Sequence, residues 1–272
     1  MIIKNKVSSL VFIFCLISTA AVAAEYVRES NLNYRTDLTD DSYVVERCVL
    51  DLSYPKEAEG FATIIWYHGG GLTEGNKYIP SEIAHDGHAV VAPNYRLAPR
   101  VSGRTCIEDA AAAVAWVFEH IEDYGGDPDK IFISGHSAGG YLASMVGMDK
   151  SYLAAHGINA NRIAGLIPFS GHTITHFTIR QQQKGFPPYK ALVDELAPLY
   201  HVRADAPPLL LITGDRELEL WGRYEENAYM MRMMRVAGHK DTRIMELDGY
   251  GHGMERPAFP LLLNEVKRVL GE

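Results

Sequence analysis

The stretch that most constrains this chain is Gly135-His136-Ser137-Ala138-Gly139-Gly140. A short apolar run, Ile131-Phe132-Ile133, precedes it, and Tyr141-Leu142-Ala143-Ser144-Met145-Val146 follows with helical character. The pattern is strand, sharp turn, helix, with a serine at the turn. Such a turn holds its serine at a strained backbone position, and glycines at 135 and 139 let strand and helix approach without Cβ clashes. The serine oxygen is lifted clear of the sheet, and the first helical N–H groups face whatever binds there. A helix N-cap is the plainer reading of Ser137, so the rest of the chain must decide.

That rest alternates buried strands with amphipathic helices. Phe61–Tyr67, His88–Ala92, Ile163–Phe169 and Leu209–Thr213 are nearly continuous apolar runs, as strands covered on both faces require. Tyr43–Leu52 alternates apolar and polar residues and predicts an edge strand; Arg243–Leu247 predicts a last strand. Helices are expected over 79–86, 104–123, 223–237 and 258–269. The expected fold class is therefore α/β, with a mostly parallel central sheet and helices on both faces. With 272 residues, 47% of them hydrophobic, one domain over 25–272 suffices, and residues 171–203 break the rhythm as an irregular, cap-like insertion. The net charge of −8 gives no electrostatic case for nucleic acid or an anionic membrane.

Residues 1–24 read as an export signal. Lys4 and Lys6 form a basic start, Leu10 to Ile17 is apolar, and Ala21-Val22-Ala23 has the small-x-small form of a cleavage site. The run is too short for a comfortable transmembrane helix, so no stable membrane insertion is expected. Phe14 before Cys15 argues against a lipid-modified cysteine. The mature chain should begin near Ala24 or Glu25 and work in the periplasm or outside the cell. Cys48 and Cys106 then remain, either paired or as two free buried thiols.

In a parallel sheet ligands bind at the carboxyl ends of the strands. His68-Gly69-Gly70-Gly71, Ser137, Gly214-Asp215-Arg216-Glu217 and Gly249-Tyr250-Gly251-His252-Gly253 all follow strands. Serine ester hydrolysis needs a base, a carboxylate that fixes the base's tautomer, and donors for the oxyanion. His252, in a glycine-flanked loop, is the expected base; His239 ends a helix and reads as a C-terminal cap. For the acid, Glu217 is preferred because Asp215, next to the strand end, is open to turn hydrogen bonds. Asp215 is the runner-up and Asp248 a weaker third. Gly70, Gly71 and Ala138 are the expected oxyanion donors, with His68 shaping their loop. His172 and His176 suggest a shared helical face, but without a carboxylate at ligand spacing no metal is expected. Trp221 and Tyr224 either line a pocket or pack a helix start.

Together His68–Gly71, Asn94-Tyr95-Arg96-Leu97, Gly135–Gly140 and His252 resemble an α/β-hydrolase over about residues 43–270. The chain is similar to carboxylesterases related to hormone-sensitive lipase and to secreted bacterial acetyl and feruloyl esterases. The resemblance implies hydrolysis of a small-molecule or carbohydrate-linked carboxylic ester, without a cofactor. It departs from the hormone-sensitive lipase group in two places. His136 stands where those relatives often carry Asp, and Glu217 stands where Asp-Pro is common. An arylformamidase-like amidase and a non-catalytic binding protein of the same fold are the alternatives. No long apolar insertion resembles a lipase lid, so small acyl groups are expected.

Overall fold

The computed structural model describes residues 24–37, 40–182, 186–187 and 190–272. The expected export signal, apart from Ala24, lies outside the described residues. The strands are β1 (Tyr26–Asn33), β2 (Val49–Pro55), β3 (Phe61–Tyr67), β4 (Ala89–Pro93), β5 (Gly126–His136), β6 (Gly165–Phe169), β7 (Leu209–Gly214) and β8 (Thr242–Leu247). They form one eight-stranded sheet in the order β1-β2-β4-β3-β5-β6-β7-β8. β1 and β2 pair antiparallel, as do β2 and β4; every later pairing is parallel.

The helices are α1 (Ser42–Arg47), α2 (Gly103–His120), α3 (Ala138–Met148), α4 (Lys150–Ala154), α5 (Phe177–Gln182), α6 (Arg223–Val236) and α7 (Glu255–Leu270). Two apolar clusters cover the sheet. One gathers Ile65, Ile133, Leu142, Leu209 and Leu211 with α2 and α3. The other packs Ile64, Trp66, Phe132, Ile212 and Phe169 against Phe259 and Leu262 of α7. Alternate residues of the same strand thus go to opposite layers, which is why the strands read as unbroken apolar runs.

Three expectations need correction. Tyr43–Leu52 is not one strand: Ser42–Arg47 is α1, and the strand starts at Val49. The Asp41 side chain accepts from the Tyr43 N–H at 2.9 Å and caps the turn. Tyr43, Val44, Arg47 and Cys48 go inward while Val45 stays exposed, a helical spacing that overrides the β-branched pair. Residues 79–86 hold only isolated turns, closed by Ile83 N–H to Pro80 O and Ala84 N–H to Ser81 O, and no helix. An edge strand that the sequence reading lacked, β1, pairs along β2. Cys48 and Cys106 are free and buried in the same cluster, and burial pushes each thiol up to about 12.

Candidate active site

β5 runs through the middle of the sheet and delivers Ser137 at its carboxyl end, with φ 56° and ψ −114°. A non-glycine residue in that region is strained, and the surroundings enforce it. The Ser137 N–H donates to Phe169 O at 2.8 Å, and Ser137 O accepts from Tyr141 N–H at 3.0 Å. A Cβ on Gly139 would lie 2.1 Å from Tyr67 O, and one on Gly135 would lie 2.7 Å from the same oxygen. Only glycine fits at these two positions, so the turn's geometry is written into the sequence.

His252 follows β8 and reaches back to the serine: its Nε2 lies 2.9 Å from Ser137 Oγ. Its Nδ1 lies 3.0 Å from Glu219 Oε2. The Glu219 side chain is 1% exposed and that of His252 is 24% exposed. Glu219 also accepts from Leu220 N–H at 2.9 Å, from Gly214 N–H at 3.2 Å, and from the Ser170 hydroxyl. Burial alone would raise this carboxyl; the His252 and Ser170 hydrogen bonds outweigh it and hold the group at about 2. Burial depresses His252, aided by the charges of His136 and Arg223 and opposed by Glu219, so the ring is neutral at pH 7.

The carboxylate on His252 is therefore Glu219, and the expectation of Glu217 is corrected. Leu218 and Glu219 N–H both donate to Asp215 O, at 2.9 and 2.8 Å, so the chain after β7 makes one tight turn. That turn throws Glu217 outward, where it is exposed, and brings Glu219 back over the strand end. Asp215 is taken up as the sequence reading foresaw. Its Oδ1 accepts from Glu217 N–H and its Oδ2 from Gly249 N–H, both at 2.9 Å. Asp248 is exposed. A signal for Glu219 was present: an Asx turn at Asp215 starts a helical turn, and the residue four places on returns to the same side. Ser170 was also missed. It follows β6 with φ 45° and carries its hydroxyl to Glu219.

The glycine loop lies against the serine. A Cβ on Gly69 would sit 3.4 Å from Ser137 Cβ. Gly70 and Gly71 have φ of 107° and 63°, open to glycine and costly for other residues. The Gly70 carbonyl accepts from Thr73 and Glu74 N–H, both at 3.0 Å, and the Gly71 carbonyl accepts from the Thr178 hydroxyl. The contacts to the Gly70 carbonyl fix the peptide that carries the Gly71 N–H. His68 stacks on Tyr95 at 4.4 Å and contacts Gly69 O through Nδ1 at 2.7 Å; burial holds it down at about 4, so it shapes the loop as a neutral ring. Arg96, in the Asn94–Leu97 segment, grips buried Asp109 of α2 through two bonds of 2.8 and 2.7 Å.

Against known proteins, the BD-FAE family model matches residues 50–171. The probable carboxylic ester hydrolase LipM of Mycobacterium tuberculosis is 34% identical over 54% of this chain and 39% of its own. Esterase LipC of the same organism is 25% identical over 75% of this chain and 56% of its own. The chain thus spans well under two thirds of either relative. A carbohydrate esterase from gut microbiota superposes with a TM-score of 0.73 at 20% identity, covering 93% of this chain and 99% of that one. Esterase 2 of Thermogutta terrifontis, phosphoramylated by tabun, superposes at 0.70 and 24% identity, covering 90% and 95%.

The chain has the α/β-hydrolase fold. The remaining candidates take structural places within that fold. His239 is buried and ties the loop after α6 to Ala206 O at 2.9 Å and to Thr242 Oγ1 at 2.5 Å. His172 and His176 share no helical face: both precede α5, with ring centroids 5.0 Å apart. His172 Nδ1 meets Glu226 at 2.7 Å. Among the described residues no group of three or more His, Cys, Asp or Glu side chains is arranged to hold a metal ion. Trp221 is 94% exposed, while Tyr224 takes a 2.8 Å hydrogen bond from Arg216. Among the described residues no helix is long and apolar enough to cross a membrane.

Proposed function

We propose that this protein is a serine carboxylesterase for small-acyl esters, working through an acyl-enzyme. The observation that carries the reading is the unbroken contact from Ser137 Oγ through both His252 nitrogens to ionised Glu219. Neutral His252, with Nδ1–H held on Glu219, presents a bare Nε2 to the serine hydroxyl. Ser137 Oγ attacks the ester carbonyl carbon while its proton passes to Nε2. The N–H groups of Ala138, Gly70 and Gly71 receive the oxyanion, each worth about 3 kcal/mol of transition-state stabilisation. Collapse breaks the bond to the alcohol, which leaves with the proton from Nε2. Water then repeats the sequence on the acyl-serine and frees the acid.

Two further points support the substrate class. Segment 171–203 contributes, among its described residues, only α5 and a short 3₁₀ turn at Pro198–His201, far from the bulk of a lipase lid. The relatives' names are those of esterases. The basic start, apolar run and small-x-small end of residues 1–24 support reading them as an export signal, and we propose on that ground that the reaction takes place outside the cytoplasm. The test is a panel of 4-nitrophenyl esters from acetate to palmitate, beside an aryl formamide. Acetate to butyrate should lead, and Ser137→Ala and His252→Ala should each lose nearly all turnover while keeping the parental melting temperature. A faster formamide reaction would assign an amidase of this fold, and full activity in Ser137→Ala would remove the serine mechanism.

A further inference from the structure

A second histidine–carboxylate pair lies beside the first. His136 is the residue before the serine, buried, and its Nε2 sits 2.7 Å from the main-chain oxygen of His252. Its Nδ1 faces Glu255 Oε1 at 3.0 Å. Its ring centroid is 4.7 Å from that of His252. A carbonyl oxygen only accepts, and so does an ionised carboxylate, so both ring nitrogens must carry protons while Glu255 is charged. Burial pushes the Glu255 carboxyl up, but contact with His136 more than offsets this and leaves it below its ordinary value.

We infer that His136 is a positioning residue, an imidazolium clamp that ties the His252 main chain to Glu255 at the start of α7. This rests on the reading of His252 as the catalytic base. The clamp does two things. It fixes the backbone of a loop flanked by Gly251 and Gly253, whose side chain must hold 2.9 Å from Ser137 Oγ. It also sets a positive charge beside a ring that turns cationic in the transition state. The other charged and titratable groups acting on His252 are Glu219 from the loop after β7, Arg223 from α6 and Glu255 from α7, with neutral His172 from the loop after β6. His136 therefore helps keep His252 unprotonated at lower pH, and costs some transition-state stabilisation in exchange for rigidity.

Glu255→Gln separates the two effects. The amide can donate to a bare Nδ1, so a neutral His136 keeps its Nε2–H on the His252 carbonyl, and position survives while charge is lost. His136→Phe removes both. In Glu255→Gln the His136 cation and the Glu255 anion are lost together, and because His136 acts on His252 more strongly than Glu255 does, the acid limb of kcat/KM should rise by about 0.3 pH unit with KM unchanged. In His136→Phe the Glu255 charge remains, so the limb should rise further than in Glu255→Gln, and kcat should fall about tenfold or more, because the loop loses its anchor. Nitrogen-15 NMR of the histidine rings reads the clamp without reference to activity. The parent should show both His136 nitrogens as donors, one to the His252 carbonyl and one to Glu255, and Glu255→Gln should show one bare nitrogen. A singly protonated His136 in the parent, or acid limbs within about 0.2 unit of the parent in both variants, would overturn the inference. Failure of the esterase reading would show separately, as a parent that hydrolyses no ester while the NMR signature stands.

Discussion

Replacing Glu219 by Gln changes one atom and removes one charge, so its effect can be worked from the site. In the proposed mechanism, attack by Ser137 leaves His252 as an imidazolium whose Nδ1 is 3.0 Å from Glu219 Oε2. At an effective dielectric near 20, two unit charges at that distance attract by about 5 kcal/mol. The amide cannot supply this. It also has no good orientation. With its NH₂ toward Oε1 it faces the Gly214 N–H; with its NH₂ toward Oε2 it faces the Leu220 N–H and drives His252 into the tautomer that cannot take the serine proton. Since about 1.4 kcal/mol is tenfold in rate, kcat should fall by about three to four decades, with KM little changed. The assay is steady-state hydrolysis of 4-nitrophenyl acetate, with Glu217→Gln and Asp215→Asn in parallel. Glu217→Gln should keep the parental rate, because that side chain is exposed and turned away. Asp215→Asn should mainly lower the melting temperature, since it loses charge from two turn hydrogen bonds. A Glu219→Gln enzyme within tenfold of the parent, or a collapse in Glu217→Gln, would refute the assignment.

Other expectations follow from the same geometry. Because burial holds His252 below its ordinary value, the acid limb of kcat/KM should fall below pH 6.5, and activity should rise with pH through it and then level. An acid limb above 7 would contradict the neutral-base reading. Gly139→Ala would put a methyl group 2.1 Å from Tyr67 O and 2.8 Å from His68 O, main-chain atoms of β3 and the glycine loop. It should cost about 3 kcal/mol and lower the melting temperature by about 10 °C, with activity lost; a parental melting curve would count against the packing argument. Cys48 and Cys106 should react with a thiol reagent only after denaturation, and reductant should leave the melting temperature unchanged. Rapid labelling of the native protein would show otherwise.

Much of this was legible because the relevant constraints are local. Gly135 and Gly139 are demanded by close approach, and the strand, turn and helix around Ser137 follow from six consecutive residues. The parallel strands announced themselves because both their faces are buried. The acid was less legible for a definite reason. Its position depends on a turn whose hydrogen bonds, to Asp215 O, rotate alternate residues in and out, and a count of residues beyond a strand does not reveal that rotation. The α1 segment failed in a similar way. Val44 and Val45 suggested a strand, while the Asp41 cap and the inward spacing of Tyr43, Val44 and Arg47 favoured a helix. Ser170 and Glu255 act across distances of 49 and 119 residues in sequence, from 170 to 219 and from 136 to 255, and no spacing rule brings such pairs together.

The strand that leads to His252, β8, is the last of the described sheet. Among the described residues β8 has a strand partner on one side only, and its residues after Thr242 are all partly exposed, whereas β7 beside it is buried throughout. Ser137 belongs to the interior of the sheet and His252 to its margin. Fraying of that margin costs less than melting the centre, so the Ser137–His252 contact can come apart while the core stays packed. On warming, turnover should therefore be extinguished before the buried tryptophan, Trp66, reports any change. If the proposed activity holds, its thermal ceiling should lie below that of the fold, and stapling β8 to β7 should raise the one without needing to raise the other.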